Sequence, residues 1–205
     1  AYHRVGTTTV VPTLASAPFD TLRNSIRLLR SLHFDALHLE GRYLNPLHRG
    51  AHDSALLHEP NCDELRLLLQ DAAPAHLHIS AALELAGGVD FLHTALEAGA
   101  TLSLGHSDAT YEQAVDLIQK GVISFTHLFN AMPLLHHRKP GMVAAALCGD
   151  TYAELICDGL HIAPAMVNLT WKMKGNKRLV LITDSMSATG CPDGHYAIAG
   201  SPVIV

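Results

Sequence analysis

The chain has 205 residues, enough for one large domain with a sizeable core. Its 48% hydrophobic and 16% charged content excludes a disordered chain, and its net charge of −5 argues against nucleic acid as a partner. No apolar run reaches the ~18 residues of a membrane helix, and the opening residues lack a signal peptide's basic start and apolar core, so no membrane partner is expected.

Taken in chain order, short apolar strands alternate with helices. Strands are predicted at 7–11 (TTTVV), 34–40 (FDALHLE), 75–79 (AHLHI), 101–105 (TLSLG), 122–127 (VISFTH), 152–157 (YAELIC) and 178–183 (RLVLIT). The helix predicted at 18–32 sets Leu22, Ile26 and Leu29 on one face. The next, at 61–72, opens on Asn61 as N-cap with Glu64 three residues on, as in a capping box. A helix at 88–98 stops at Gly99, and one at 108–120 starts from an Asp/Thr cap and stops at Gly121. The last, at 164–174, starts on Pro164. Loop 130–142, with its Pro, Gly and His residues, is long enough to bind a ligand. Continuous apolar strands alternating with helices indicate an α/β fold with a parallel sheet. The candidates are a (β/α)8 barrel short of one unit and a large open sheet.

Cysteines 62, 148, 157 and 191 show no C-x-x-C spacing, so neither a zinc knuckle nor a disulfide frame is indicated. Free thiols in a reducing cytoplasm are the simplest reading. Histidine is abundant, with 15 residues. His33, His58, His93 and His195 read as solvated surface residues. His48, His136 and His137 read as solvated loop residues, and His38 and His78 as interior packing or supporting groups. Met132, Met142 and Met186 read as packing.

Several strands end on a metal-binding or proton-moving side chain: Glu40, His106, His127, Asp158 followed by His161, and Asp184. In barrels and open parallel sheets these C-terminal ends share one rim, where sites are built. Glu40, His106 and His127 offer one carboxylate and two imidazoles. With an open water position, that set is a catalytic zinc-type arrangement. Asp184 opposite would take the water's proton and return it to a leaving group.

Six segments carry a resemblance: HLEGRYLNPLHRGAH (38–52), GHSDATYEQA (105–114), THLFNAM (126–132), RKPG (138–141), DGLH (158–161) and ITDSMSATG (182–190). In this order they resemble the motif set of N-acetylglucosamine-6-phosphate deacetylases, in the amidohydrolase superfamily. The resemblance implies a TIM-type (β/α)8 barrel, incomplete here, with residues 1–205 as a partial catalytic barrel domain. It implies hydrolysis of N-acetylglucosamine 6-phosphate to glucosamine 6-phosphate and acetate. Glu40, His106 and His127 would bind one divalent metal ion, zinc first, with iron, manganese or cobalt as alternatives. Asp184 would be general base and then acid, and His52 would hold or polarise the acetamide carbonyl. Asn130, Ala131 (through its backbone), Arg138 and His161 would contact the sugar phosphate. A homo-oligomer is expected.

The sequence departs from the family pattern in three places. Arg42 stands where the family has Pro, which puts an added cation near the site. The stretch before Glu84 reads AALE rather than APE. A first strand with a His-x-His motif and the small β-sandwich have no counterpart in the sequence. Two further readings of the same residues stand open: another amidohydrolase acting on an anionic amide, and an inactive sugar-phosphate-binding scaffold.

Overall fold

Seven parallel strands hydrogen-bond in simple chain order, each joined to the next by a crossover on the same side. The computed structural model describes residues 2–198 and 201–204. The strands are β1 (Thr13–Ala15), β2 (Ala36–Glu40), β3 (His76–Ala81), β4 (Thr101–Leu104), β5 (Ser124–Phe125), β6 (Tyr152–Ile156) and β7 (Leu179–Ile182). Helices α1 (Phe19–Ser31), α2 (Cys62–Ala72), α3 (Gly88–Glu97), α4 (Tyr111–Gln119), α5 (Gly141–Cys148) and α6 (Pro164–Arg178) cover one face. A short antiparallel hairpin, β8 (His195–Ile198) with β9 (Ser201–Ile204), forms a separate sheet.

The two-residue period of each strand sorts its side chains. Leu37 and Leu39, Leu77 and Ile79, and Leu102 and Leu104 are buried in one cluster with Leu22, Ile26, Leu65, Leu68, Phe91 and Leu92 of the helices. The alternate residues line the inner face and are polar. Thr13 Oγ1 lies 3.1 Å from His38 Nδ1, and His38 Nε2 lies 2.7 Å from Ser80 Oγ. Ser80 Oγ lies 2.6 Å from Thr126 Oγ1, which donates to Ser103 Oγ at 2.7 Å. His78 Nδ1 lies 2.8 Å from Thr101 Oγ1, with its Nε2 3.4 Å from Glu154 Oε1. His38 and His78 are thus interior hydrogen-bonded groups.

Burial pushes the His38 imidazole down to about 4, although the charge of Glu40 opposes this. Unfolded, the ring takes a proton near 6.5; folded, only near 4. Its contribution to stability is therefore full above about pH 6.5 and is lost on acidification towards pH 4, by roughly 2–3 kcal/mol. Urea midpoints at pH 7 and pH 5 should fall further for the native chain than for His38→Gln. Equal falls in both would contradict this.

Four features depart from the sequence expectation. The first strand lies at 13–15, not 7–11. Pro12 has no N–H to donate, its carbonyl accepts from His38 N at 2.9 Å, and register with β2 starts only at Thr13. Val10 and Val11 are 45% and 41% exposed, so β-forming residues there find no face to pack on. Helix α5 (GMVAAALC) was not predicted: it is apolar all round and largely buried, so it carries no amphipathic period. The hairpin was not predicted either. Glu64 does not complete a capping box. Asn61 caps α2 alone, and the capping box that forms is Thr110 with Gln113 at α4.

Candidate metal centre

Glu40, at the last position of β2, is 7% exposed. His106 and His127 follow β4 and β5, and are 4% and 3% exposed. Their tips converge: Glu40 Oε1 lies 2.9 Å from His106 Nε2 and 3.0 Å from His127 Nε2. The two imidazole nitrogens are 3.0 Å apart. Burial pushes the Glu40 carboxyl up, but the hydrogen bonds of His106 and His127 outweigh it and hold the group well below the usual carboxylate range. Burial likewise disfavours charge on His127, but its bond to Glu40 raises it overall. The cluster thus calls for positive charge beside an ionised carboxylate.

The backbone fixes which lone pairs face inward. His106 Nδ1 lies 2.8 Å from the His48 carbonyl, which can only accept. The ring therefore carries a proton on Nδ1, and when neutral its Nε2 presents a lone pair to Glu40. A carboxylate oxygen and an imidazole lone pair facing at 2.9 Å repel unless a cation lies between them or a proton joins them. That donor chemistry fits a divalent ion. Among the described residues, these three form the one group of His, Cys, Asp or Glu with ligand atoms close enough to share an ion.

The loops that present the cluster are tied together by groups whose role was not evident in the sequence. The Glu84 carboxylate accepts from Asn45 Nδ2 (3.0 Å), Ser107 Oγ (2.6 Å) and Asp108 N (2.7 Å). Asp108 Oδ1 lies 2.8 Å from His48 Nε2, so His48 is a half-buried, bonded residue rather than a solvated one. That bond steadies the carbonyl that fixes His106. A Cβ at Gly50 (φ +55) would sit 3.2 Å from His106 Cε1. His106, His127, Phe129, Ala131 and Asp184 all take positive φ, a strain that concentrates at this rim.

Arg42 does not add charge to the site. Its guanidinium turns to Glu64 of α2 (Nη2–Oε1 3.1 Å, Nε–Oε2 3.3 Å) and lies 5.4 Å from the Phe19 ring centroid. Tyr43 also donates to Glu64, at 2.9 Å. The side chain expected near the metal therefore clamps α2 instead.

His52 is 6% exposed, its Nε2 4.0 Å from Glu40 Oε1 and its ring edge-on to His106 at 4.9 Å. Burial, then the neighbouring His106, pushes its imidazole down to about 4. Asp184 follows β7 and borders solvent. Desolvation by its neighbours raises its carboxyl, and the charge of Glu40 adds to that. Asn130 Nδ2 donates to the His127 carbonyl at 3.2 Å, and Ala131 lies across from Gly50. Arg138 is exposed on the loop after β5, and its backbone N–H donates to His136 Nδ1. His161 is exposed on the loop after β6, with Nδ1 2.6 Å from Asp158 Oδ2. Glu40, His106, His127 and His52 are thus brought together, with Asp184 coupled to them by charge. Asn130 and Ala131 border the cluster, and Arg138 and His161 stand on the surrounding loops.

No family model matches the chain. Comparison with curated proteins gives a consistent answer. N-acetylglucosamine-6-phosphate deacetylase of Vibrio furnissii is 33% identical, over 95% of this chain and 51% of its own length. N-acetylgalactosamine-6-phosphate deacetylase of Escherichia coli O157:H7 is 32% identical, over 98% of this chain and 55% of its own. A solved structure of the Mycobacterium smegmatis N-acetyl-D-glucosamine-6-phosphate deacetylase, a mutant in complex with N-acetyl-D-glucosamine-6-phosphate, superposes with a TM-score of 0.93. It is 34% identical and matches 98% of this chain and 54% of its own. Over almost all of its length, the chain resembles N-acetylglucosamine-6-phosphate deacetylases. The chain spans about half the length of the curated relatives it matches. Its seven-stranded parallel sheet with helices is an incomplete TIM-type barrel of the kind in those structures. No helix among the described residues is long and apolar enough to cross a membrane.

Proposed function

We propose that the protein carrying this chain hydrolyses the acetamide of N-acetylglucosamine 6-phosphate to glucosamine 6-phosphate and acetate. The observation that carries the reading is the convergence of Glu40, His106 and His127 within 3.0 Å at the strand ends, in a chain similar to deacetylases. Glu40, His106 and His127 would hold one divalent ion, with zinc suited to the nitrogen and oxygen donors. Such an ion supplies a water of lowered pKa and polarises a carbonyl.

The chain's own residues do the rest. Asp184, just beyond β7 and beside the cluster, accepts the proton of the attacking water. The water oxygen bonds the acyl carbon, the C–N bond breaks, and Asp184 returns the proton to the departing amine nitrogen. His52, kept neutral by burial, donates to the acyl oxygen as it gains charge. The Arg138 guanidinium suits the phosphate dianion, with His161, Asn130 and the Ala131 backbone holding phosphate and sugar hydroxyls. The four free cysteines agree with a reducing cytoplasm. A homo-oligomer rests on the family resemblance alone.

A second sugar is favoured by a specific observation, the near-equal identity to a galactosamine-type deacetylase. Amine release from each N-acetylhexosamine 6-phosphate separates the two. The proposal expects N-acetylglucosamine 6-phosphate to react at least ~10-fold faster in kcat/KM, a difference of about 1.4 kcal/mol. Preference for the epimer would transfer the function to it. Release from neither by metal-loaded, folded protein would overturn the deacetylase reading.

A further inference from the structure

His52 reaches the site from the loop after β2, yet its ring is oriented from β1. Ser16, the first residue after β1, meets His52 Nδ1 twice: through its Oγ at 2.8 Å and its backbone N–H at 3.4 Å. A backbone N–H can only donate. Ser16 Oγ itself accepts from the Arg42 N–H at 3.0 Å, and its own hydroxyl proton remains available to His52. The backbone contact makes Nδ1 an acceptor, and the Ser16 hydroxyl can then donate to the same atom. A neutral imidazole that accepts at Nδ1 carries its proton on Nε2, and Nε2 faces the cluster.

We propose that Ser16 is a positioning residue that locks His52 in the Nε2–H tautomer. The lock makes His52 a donor towards the substrate's acyl oxygen and removes Nε2 from the set of metal ligands. The neighbouring ring is fixed the other way, since His106 gives its Nδ1 proton to the His48 carbonyl. Two imidazoles 4.9 Å apart thus carry opposite tautomers, one for a cation and one for an oxygen.

The lock is built into the backbone. At Gly41 (φ +149) a Cβ would lie 2.4 Å from both Ser16 N and Ser16 Oγ, so the two strand ends meet only because residue 41 has no side chain. Ser16 is 3% exposed, so water does not compete for the bond. The acyl-oxygen role of His52 rests on the proposed function; the tautomer does not.

The test is two-bond 1H–15N correlation NMR of the full chain labelled with 15N-histidine, with the His52 signals assigned by their loss in His52→Gln. The native chain should show His52 protonated at Nε2. Ser16→Ala should move it to Nδ1–H or a mixture, and Ser16→Thr should restore it. An Nδ1–H ring in the native chain, or no change in Ser16→Ala, would overturn the lock. His52→Gln should keep its bound zinc, and loss of zinc would overturn the exclusion of His52 as ligand. In turnover, Ser16→Ala should lose about 10-fold in kcat with KM nearly unchanged, and Ser16→Thr should recover it. A tautomer that shifts as expected with kcat untouched would overturn the role of His52 in the proposed function while upholding the lock.

Discussion

Glu40→Gln is expected to lower deacetylation by at least ~10³-fold and to abolish the thermal stabilisation that zinc gives the native chain. The substitution keeps the shape of the side chain and removes its charge. In the native arrangement one oxygen, Glu40 Oε1, serves both His106 and His127 at 2.9 and 3.0 Å. Without the carboxylate, two imidazoles face each other at 3.0 Å with no anionic ligand atom between them to hold a divalent ion. Two neutral nitrogens bind such an ion far more weakly than a set that includes a carboxylate. Thermal unfolding with and without added zinc reads the effect: the native midpoint should rise by several degrees and that of the variant should stay where it is. A variant with a native zinc response would mean that Glu40 is a structural acid.

Asp184→Asn is expected to lower kcat by about 10²–10⁴-fold while metal content and KM stay near native values. Asn matches the size of Asp but cannot accept the water's proton. Asp184 stands outside the three-atom cluster, so the ion should remain. A carboxylate base also sets a pH profile. The base works only when deprotonated, so kcat/KM should fall as pH drops through the Asp184 pKa. Full activity in Asp184→Asn would remove it from the reaction, and loss of metal would make it a ligand.

The cluster was legible because strand ends can be read from apolar runs. Glu40, His106 and His127 each close such a run, and a parallel sheet sets those ends on one rim. Leu37 and Leu39 pack on the helices while His38 and Glu40 face inward, an alternation that the reading of continuous apolar strands passed over. What the sequence hid depends on through-space contacts. TTTVV has strong β propensity, yet Pro12 and the register with β2 move the strand to residues 13–15. Helix α5 shows no polar face, so no period marks it. Arg42 reads as a cation beside Glu40 until α2 supplies Glu64 to hold it. The tautomers of His52 and His106 follow from Ser16 N and the His48 carbonyl, which lie 36 and 58 residues away in sequence.

The central claim is that Glu40, His106 and His127 form a built site for one divalent ion. Elemental analysis of the purified chain, equilibrated with zinc and freed of excess, tests it most directly beside Glu40→Gln. The account predicts about one ion per native chain and under about a tenth of that in the variant, both folded by circular dichroism. No bound metal in a folded native chain, or equal metal in the two proteins, would contradict it.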